Sequence, residues 1–252
     1  MDLGLKGKKA LVTGATRGIG QAIARTLAAE GVDVAICSRT EEAVSREAAE
    51  LEAKGVRVFA RAVDVGDGDG LKSFITDAAE ALGGLDILVS NPSGGNGVDE
   101  AAWRANFEVD LLGAVRSVEA ALPALAASGA GSVIFIGTTA AVETFMGPTS
   151  YNAIKAALVT HANGLSQSLG GKGIRVNTVS PGPIFIEGGS WDRIKQGRPE
   201  MYEAACKDHP GGKLGVAQDV ANSVVFLSSP AAGHITGVHL IVDGGYTKRV
   251  NF

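Results

Sequence analysis

The sequence predicts an α/β fold in which one parallel β-sheet of about seven strands is covered by helices on both faces. Short, almost wholly apolar runs recur along the 252 residues, and helical patterns of about twelve residues or more separate them. Strands that are buried on both faces have this composition, and alternating strands and helices form right-handed βαβ units. Because no linker or internal repeat divides the chain, we expect residues 1–252 to form a single doubly wound domain.

The predicted elements alternate in order along the chain. The strands are residues 9–14, 33–38, 56–61, 85–90, 131–137, 174–180 and 238–245, and the helices are residues 18–30, 41–54, 69–82, 99–127, 150–170 and 217–228. Residues 183–213 interrupt this alternation with a long segment of mixed polarity that contains several Gly and Pro. Ligands bind beyond the carboxyl ends of parallel strands, so we expect this segment to be a substrate lid with one or two short helices. The alternative is a surface excursion without a role in binding.

Composition argues against several classes of protein. The net charge is −4 and there is no long basic run, so we expect no nucleic acid and no membrane surface as partner. No run approaches 18 apolar residues. Cys37, Cys206 and the four histidines show no metal-ligand spacing, so we expect reduced thiols and no metal site. The N-terminal residues lack the apolar core of a signal peptide, which favours a cytoplasmic enzyme.

A glycine-rich turn follows the first predicted strand. Gly14, Gly18 and Gly20 in "TGATRGIG" lie between that strand and the first helix. Glycines let a backbone approach a pyrophosphate closely, and a helix N-terminus offers free N–H groups and a favourable dipole. The spacing G-x-x-x-G-x-G differs from the general G-x-G-x-x-G fingerprint, but its place in a βαβ unit is the one that a Rossmann-type nucleotide-binding domain requires.

The end of the second strand predicts which nucleotide binds. An acidic residue there would bind the ribose 2′-hydroxyl of NAD, but this chain has Arg39, with Ser38 and Thr40 on either side. A guanidinium group suits a 2′-phosphate, and Arg17 offers a second one within the glycine turn. We therefore expect NADP(H) as the cofactor, although Arg39 could also be a solvated surface charge.

The chain resembles the short-chain dehydrogenase/reductase family, in particular its 3-oxoacyl-ACP reductase-like subgroup, from about Lys8 to Tyr246. The motifs that carry the resemblance are "TGATRGIG" at 13–20, "DV" at 64–65, "ILVSNPSGG" at 87–95, the Tyr151/Lys155 pair, "RVNTVSPGPI" at 175–184 and "HITGVHLIVDGG" at 234–245. Together they are far more specific than any one of them, but the subgroup covers many carbonyl substrates. Members are commonly tetramers, so the resemblance implies a homotetramer.

Tyr151 and Lys155 are four residues apart on a predicted helix, so their side chains share one face. An ammonium group close to a tyrosine favours the phenolate, which suits a general acid or base. In the family this tyrosine protonates the carbonyl oxygen during reduction, and the lysine also binds the nicotinamide ribose. Without the glycine turn, the same spacing would more often indicate ordinary helix packing.

Three positions depart from the family pattern. The serine that the family places thirteen residues before the tyrosine is Thr138, whose hydroxyl can donate the same hydrogen bond, and Thr139 could compete for this role. The family's helix-four asparagine, which helps to hold a water molecule that links the lysine to solvent, is Asp110. The threonine that commonly binds the nicotinamide carboxamide is replaced by Ile186. We expect Thr138, Tyr151, Lys155 and Asp110 to form the catalytic set.

The remaining expected contacts divide between cofactor and substrate. The expected cofactor-binding residues are Gly14, Thr16, Arg17, Gly18, Ile19, Gly20, Ser38, Arg39, Thr40, Asp64, Val65, Asn91, Pro92, Tyr151, Lys155, Pro181, Gly182 and Ile184. The expected substrate pocket contains Thr138 with Val142, Phe145, Phe185, Trp191, Met201 and Tyr202. Many of these are apolar, which favours a hydrophobic or aromatic carbonyl compound. Phe145 and Trp191 could equally pack the lid onto the core.

These residues predict an NADP(H)-dependent carbonyl reductase or alcohol dehydrogenase that moves a hydride between the cofactor and a carbonyl carbon. The alternative from another class is a non-catalytic NADP(H)-binding sensor or structural protein, which Asp110 and Ile186 favour. Enoyl reductases of this fold usually space the tyrosine and lysine more widely, and dehalogenases lose the glycine turn, so both fit less well.

Overall fold

The structure is a computed structural model that describes residues 2–144, 147–248 and 250. Its strands are β1 (Lys9–Thr13), β2 (Asp33–Ser38), β3 (Val58–Ala62), β4 (Ile87–Ser90), β5 (Gly131–Ile136), β6 (Ile174–Pro181), β7 (Ile184–Phe185), β8 (Gly215–Val216) and β9 (His239–Val242). Seven of them form one parallel sheet in the order β3-β2-β1-β4-β5-β6-β9, and β7 pairs with β8 separately. The predicted seven-stranded parallel sheet is therefore confirmed.

Helices cover both faces of this sheet. They are α1 (Gly18–Ala29), α2 (Glu41–Glu52), α3 (Gly68–Leu82), α4 (Glu100–Asn106), α5 (Gly113–Ala127), α6 (Ser150–Leu169), α7 (Ser190–Gly197), α8 (Pro199–Asp208) and α9 (Ala217–Ser228). One apolar layer joins the sheet to α1 and α9, and the other joins it to α3, α5 and α6. Successive strand residues alternate between the layers: Ala10 and Val12 of β1 pack in the first, and Leu11 packs in the second.

The strand order reverses between β1 and β4, which are neighbours in the sheet although β2 and β3 separate them along the chain. Connections leave toward opposite sides at such a point, so a crevice opens beyond the carboxyl ends of the two strands. The glycine turn after β1 and the loop after β4 border this crevice, which positions both for ligand binding.

The predicted helix 99–127 is helical throughout but not uniform. Its central part, Phe107–Leu112, is a π-helical turn between α4 and α5. Such turns insert one extra residue per turn and occur frequently at functional sites. This one contains Asp110, whose side chain is buried.

The segment predicted as a lid contains two short helices, α7 and α8, and one strand of the small β7–β8 sheet. Trp191, Ile194, Ala205 and Leu214 form a separate apolar cluster there, which we call the lid core. Across the described residues, none of the helices is both long enough and apolar enough to span a bilayer.

Candidate active site

A cavity of about 690 Å³ lies at the carboxyl edge of the sheet. The glycine turn, the ends of β5 and β6, the start of α6, the lid and the residues after β9 all contribute to its wall. This volume is in the range of sites that hold small molecules. The predicted catalytic residues Thr138, Tyr151 and Lys155 line it together.

The glycine turn has the conformation that its sequence requires. Gly14 and Gly18 have φ values of +65° and +57°, which side chains rarely adopt. A Cβ atom on Gly20 would lie 2.3 Å from the carbonyl oxygen of Gly14. The side-chain amide of Asn91 donates to the carbonyl oxygens of Thr13 and Gly14 at 3.2 and 3.0 Å, so the loop after β4 holds the turn in place.

The N-terminus of α1 points its first N–H groups toward this turn. The residue before the helix, Arg17, makes no side-chain cap, and its side chain is exposed on the cavity wall. The first N–H groups of a helix have no partner within the helix. An uncapped helix start beside a close-packed glycine turn is therefore suited to bind a phosphate group.

The other predicted cofactor contacts extend along the same edge of the sheet. Ile19, Asn91, Pro181, Gly182 and Ile184 line the cavity, whereas Gly14, Thr16, Gly18, Gly20 and Pro92 lie in the turn and loop behind its wall. Ser38, Arg39 and Thr40 come at and after the end of β2, and Asp64 and Val65 come after β3, farther out than the cavity itself. Arg39 is exposed and has no hydrogen-bond or ion-pair partner in the part of the chain that the structure describes.

Tyr151 and Lys155 lie in the first turns of α6. The helix begins there because Thr149 caps it: its hydroxyl accepts from the backbone N–H of Asn152 at 3.4 Å. The Lys155 Nζ atom lies 5.9 Å from the centroid of the Tyr151 ring. Both side chains line the cavity, as the i and i+4 spacing predicts.

Thr138 stands two residues beyond β5 and faces the same cavity, as does Thr139. The Thr138 Oγ1 atom accepts from the backbone N–H of Ala140 at 3.2 Å, which leaves its own proton to donate elsewhere. Thr139 is the more buried of the two. Both threonines line the same cavity as Tyr151, so the structure does not distinguish between their hydroxyls.

Lys155 is held by three oxygen atoms. Its Nζ donates to the carbonyl oxygens of Ile136 at 2.9 Å and Pro92 at 3.4 Å, and it lies 3.0 Å from Oδ1 of Asp110. The side chains of Lys155 and Asp110 are 3% and 0% exposed. Burial of two charges is costly unless they pair and hydrogen bonds satisfy their remaining polar atoms. The two charges pair here, but the Asp110 Oδ1 atom has the ion pair alone and no hydrogen bond among the described residues.

A buried polar network continues from Asp110 to the start of α6. The Asp110 Oδ2 atom accepts from the backbone N–H of Gly94 at 2.7 Å and from the Asn106 amide at 2.9 Å. Asn106 also donates to the carbonyl oxygen of Gly95 and accepts from the Ser150 hydroxyl at 2.6 Å. Sequence reasoning missed Asn106 and Ser150. Only their positions could have indicated a role: Asn106 lies four residues before Asp110, and Ser150 directly precedes Tyr151.

The predicted substrate pocket is only partly assembled. Thr138 and Trp191 line the cavity. Phe185, Met201 and Tyr202 pack against the lid core instead, with the Phe185 and Tyr202 rings in a T-shaped arrangement at a centroid distance of 6.1 Å. Short amphipathic helices must bury their own apolar faces, and these side chains serve that purpose. Val142 does not line the cavity, and Phe145 lies outside the described residues.

A set of polar residues that line the cavity was not foreseen from the sequence. It includes Asn96, Glu143, Asn152, Asp208, Tyr246 and Thr247. Burial raises the pKa of Tyr246, and the nearby carboxylates of Asp208 and Glu143 raise it further. The residues after β9 carry no periodic pattern, so nothing in the sequence placed them in the site.

Asp243 fixes the residues after β9. Its carboxylate accepts from the backbone N–H groups of Gly245 and Thr247 and from the Thr247 hydroxyl, at 2.9, 2.8 and 2.7 Å. Burial alone would raise the pKa of Asp243, but these hydrogen bonds outweigh it and leave the pKa below its usual value. The ring of Tyr246 packs on His209 with centroids 4.5 Å apart. Within the described residues, no group of three or more His, Cys, Asp or Glu side chains is arranged to hold a metal ion.

Comparisons with known proteins agree with this fold. The family model described as "Enoyl-(Acyl carrier protein) reductase" matches residues 14–247. Isoepoxydon dehydrogenase of Penicillium expansum is 36% identical over 257 aligned residues, which cover 100% of this chain and 99% of the relative. A nucleotide-binding α/β oxidoreductase is thus the class that fold and relatives define, and the chain belongs to the short-chain dehydrogenase/reductase family.

Two solved structures show the same architecture. L-sorbose reductase from Gluconobacter frateurii, complexed with NADPH and L-sorbose, superposes with a TM-score of 0.93 at 30% identity and covers 99% of this chain and 100% of that one. A short-chain dehydrogenase from Burkholderia cenocepacia in complex with NADP has a TM-score of 0.86 at 34% identity, with 96% and 98% covered. The family resemblance that the motifs indicated is confirmed.

Proposed function

We propose that this protein is an NADP(H)-dependent oxidoreductase that interconverts a ketone or aldehyde and the corresponding alcohol. The observation that carries the proposal is the placement of Thr138, Tyr151 and Lys155 in the lining of one cavity, together with residues of a glycine turn that leads into an uncapped helix start. A structural glycine turn alone would not require an acid/base pair in the same cavity.

The preference for NADP(H) rests on charge. Arg39 is exposed beyond β2 and is not engaged by the described residues, and Arg17 stands at the uncapped start of α1. Two guanidinium groups suit a ribose 2′-phosphate and the adjoining pyrophosphate. Two similar structures, at 30% and 34% identity, were solved with NADPH and NADP. The carboxylate of Asp64, which accepts from the N–H of Gly66, would border the adenine.

Each residue of the proposed catalytic set has its own role in the reaction. The cofactor, when bound, supplies or accepts the hydride. Tyr151 gives its proton to the carbonyl oxygen during reduction and recovers it during oxidation, while Thr138 donates a hydrogen bond that orients that oxygen. The Lys155 ammonium, held by Asp110, Ile136 and Pro92, stabilises the phenolate that remains. It would also bind the nicotinamide ribose.

Replacing Tyr151 with phenylalanine tests the mechanism. Positioned general acids contribute about 10²- to 10⁴-fold to rates, so the Tyr151→Phe variant should lose at least this factor in kcat for ketone reduction. Its Kd for NADPH, measured by fluorescence titration, should stay within about twofold. Retention of most of the turnover would contradict the assignment of Tyr151.

A sensor or structural protein that binds NADP(H) without turnover is the second candidate. Two observations favour it: the Asp110–Lys155 ion pair, and Ile186, whose side chain packs against Gly18 in the glycine turn. Tight NADPH binding with no oxidation of NADPH across a broad panel of ketones and aldehydes would support it over the enzyme.

Assembly and location stay proposals as well. We propose a cytoplasmic homotetramer of single-domain subunits in which residues 183–213 act as the substrate lid. Trp103 and Phe107, on α4 and the adjoining π-helical turn, are 42% and 45% exposed, and exposed aromatic residues of this size commonly mark an interface. Sedimentation velocity would test the oligomeric state, and a monomer at micromolar concentration would contradict it.

A further inference from the structure

Part of the cavity lining, which we call the polar wall, carries polar groups where apolar side chains were expected. Asn96, Asn152 and Thr247 offer uncharged hydrogen-bonding groups, and Glu143, Asp208 and Tyr246 add two carboxylates and a phenol. A purely apolar ligand would strip water from the carboxylates of Glu143 and Asp208 and return no hydrogen bonds, which costs about 1–3 kcal/mol for each group left unsatisfied. The wall therefore disfavours the hydrophobic substrate that the sequence predicted.

The charges near this wall favour an uncharged ligand. Among the described residues, the cations that line the cavity are Arg17, Lys155, Arg193 and Lys248. Arg193 donates to Gly188 and Ser190, Lys248 lies 3.9 Å from Asp208, and Lys155 is paired with Asp110. Arg17 lies at the start of α1, where the cofactor phosphates are proposed to bind. A carboxylate or phosphate on the substrate would therefore meet the carboxylates of Glu143 and Asp208 without an unengaged cation beside them.

Two residues of the polar wall, Tyr246 and Thr247, are held in position before any ligand arrives. Asp243 fixes Thr247 through backbone and side-chain hydrogen bonds, and the ring of Tyr246 packs against His209. Groups held in this way lose little entropy on binding, so their hydrogen bonds contribute more fully to selectivity. Carboxylates and phenols positioned together are good acceptors for the hydroxyl groups of a ligand.

We propose that the substrate is a neutral carbonyl compound with several hydroxyl groups, a polyhydroxylated ketone or its polyol. This inference rests on the proposed function. In reduction, a hydride from NADPH bonds to the carbonyl carbon, the proton of Tyr151 bonds to the oxygen, and the products are the polyol and NADP⁺. Glu143, Asp208 and Tyr246 bind hydroxyl groups on the part of the substrate that does not react.

Matched pairs of ketones test this proposal. The oxidation of NADPH is followed with 1,3-dihydroxyacetone against acetone, and with 4-hydroxycyclohexanone against cyclohexanone. A site built around substrate hydroxyls rejects analogues that lack them, so kcat/KM should be at least about 100-fold higher for the hydroxylated member of each pair. Equal or higher values for acetone and cyclohexanone would overturn the substrate class and leave the reductase function standing.

A binding measurement separates the two proposals if no ketone is reduced. Such an outcome, with NADPH bound normally, would overturn the proposed function. The affinity of the NADP⁺-loaded protein for glycerol against 1-propanol, read from ligand-observed NMR, then decides the ligand class. Tighter binding of glycerol would support a hydroxylated ligand, and equal or weaker binding would overturn it.

Single substitutions in the polar wall test whether its residues cause the preference for hydroxylated ketones. Tyr246→Phe and Glu143→Ala should each lower the preference for the hydroxylated ketone by about 3- to 10-fold, as expected for one lost hydrogen bond, and leave the Kd for NADPH unchanged. Glu203→Ala is the matched control, because Glu203 is an exposed residue of α8 that does not line the cavity. Equal losses with both members of a ketone pair would overturn the role of the polar wall.

Discussion

Replacing Asp110 with alanine removes one partner of a buried ion pair and leaves the Lys155 ammonium without its anion. The two atoms are 3.0 Å apart and both side chains are almost wholly inaccessible to solvent. Breaking a buried pair from one side costs about 3–5 kcal/mol, because the remaining charge stays desolvated. The backbone N–H of Gly94 and the amide of Asn106 lose an acceptor as well. We expect the free energy of unfolding to fall by about 3–5 kcal/mol.

Urea denaturation of the protein without cofactor measures this change. The double variant Asp110→Leu with Lys155→Met is the informative companion, because replacing both partners by apolar side chains removes the charge along with its counterion. It should be less destabilised than Asp110→Ala, even though two residues have changed. A loss below about 1 kcal/mol in Asp110→Ala, or a double variant less stable than the single one, would refute the reasoning from burial.

The three other predictions concern the cofactor turn, its specificity and a thiol. Arg39→Asp should shift the ratio of kcat/KM values for NADPH and NADH toward NADH by at least about tenfold, or about 1.4 kcal/mol, whereas Arg46→Asp, an exposed change on α2, should not. Gly20→Ala should abolish tight NADPH binding because its Cβ would meet a carbonyl oxygen at 2.3 Å, while Gly164→Ala, in open space on α6, should raise stability by about 0.5–1 kcal/mol. Burial raises the pKa of Cys37 to about 12, so this thiol should stay unreactive toward a disulfide reagent at pH 8 until the protein unfolds. Because its folded pKa lies above the unfolded value, its contribution to stability is present below about pH 8.5 and is lost above it. An unchanged NADPH/NADH ratio of kcat/KM in Arg39→Asp would contradict the first prediction, and normal NADPH binding by Gly20→Ala would contradict the second. Rapid labelling of Cys37 in the folded protein would contradict the third.

The features that could be predicted from the sequence are those that follow a regular spacing of residue types along the chain. Leu11 between Ala10 and Val12 shows why: a strand buried on both faces is apolar at every position, and the two core layers take alternate residues. The glycine turn was predictable for a different reason, since Gly14 and Gly20 occupy positions where a side chain is strained or clashes. Tyr151 and Lys155 followed from helical spacing once that turn was recognised.

The features that were missed depend on contacts between distant segments. A π-helical turn around Asp110 has the same composition as an ordinary helix, so the sequence gives no sign of it. Asn106 and Ser150 are polar residues at helix positions that could equally face solvent. Phe185 was placed in the substrate pocket because it is apolar, whereas the lid uses it to complete its own core.

The loop at residues 93–97 has a consequence for how this scaffold can change. The N–H of Gly94 is bound by Asp110, and the carbonyl oxygens of Gly95 and Gly97 are bound by Asn106 and Ser150. This side of the cavity is therefore braced by the same side chains that hold Lys155. The facing side consists of the lid, with its independent core, and the residues after β9. Substitutions on the facing side can therefore alter the shape of the cavity without breaking the hydrogen bonds that hold Lys155.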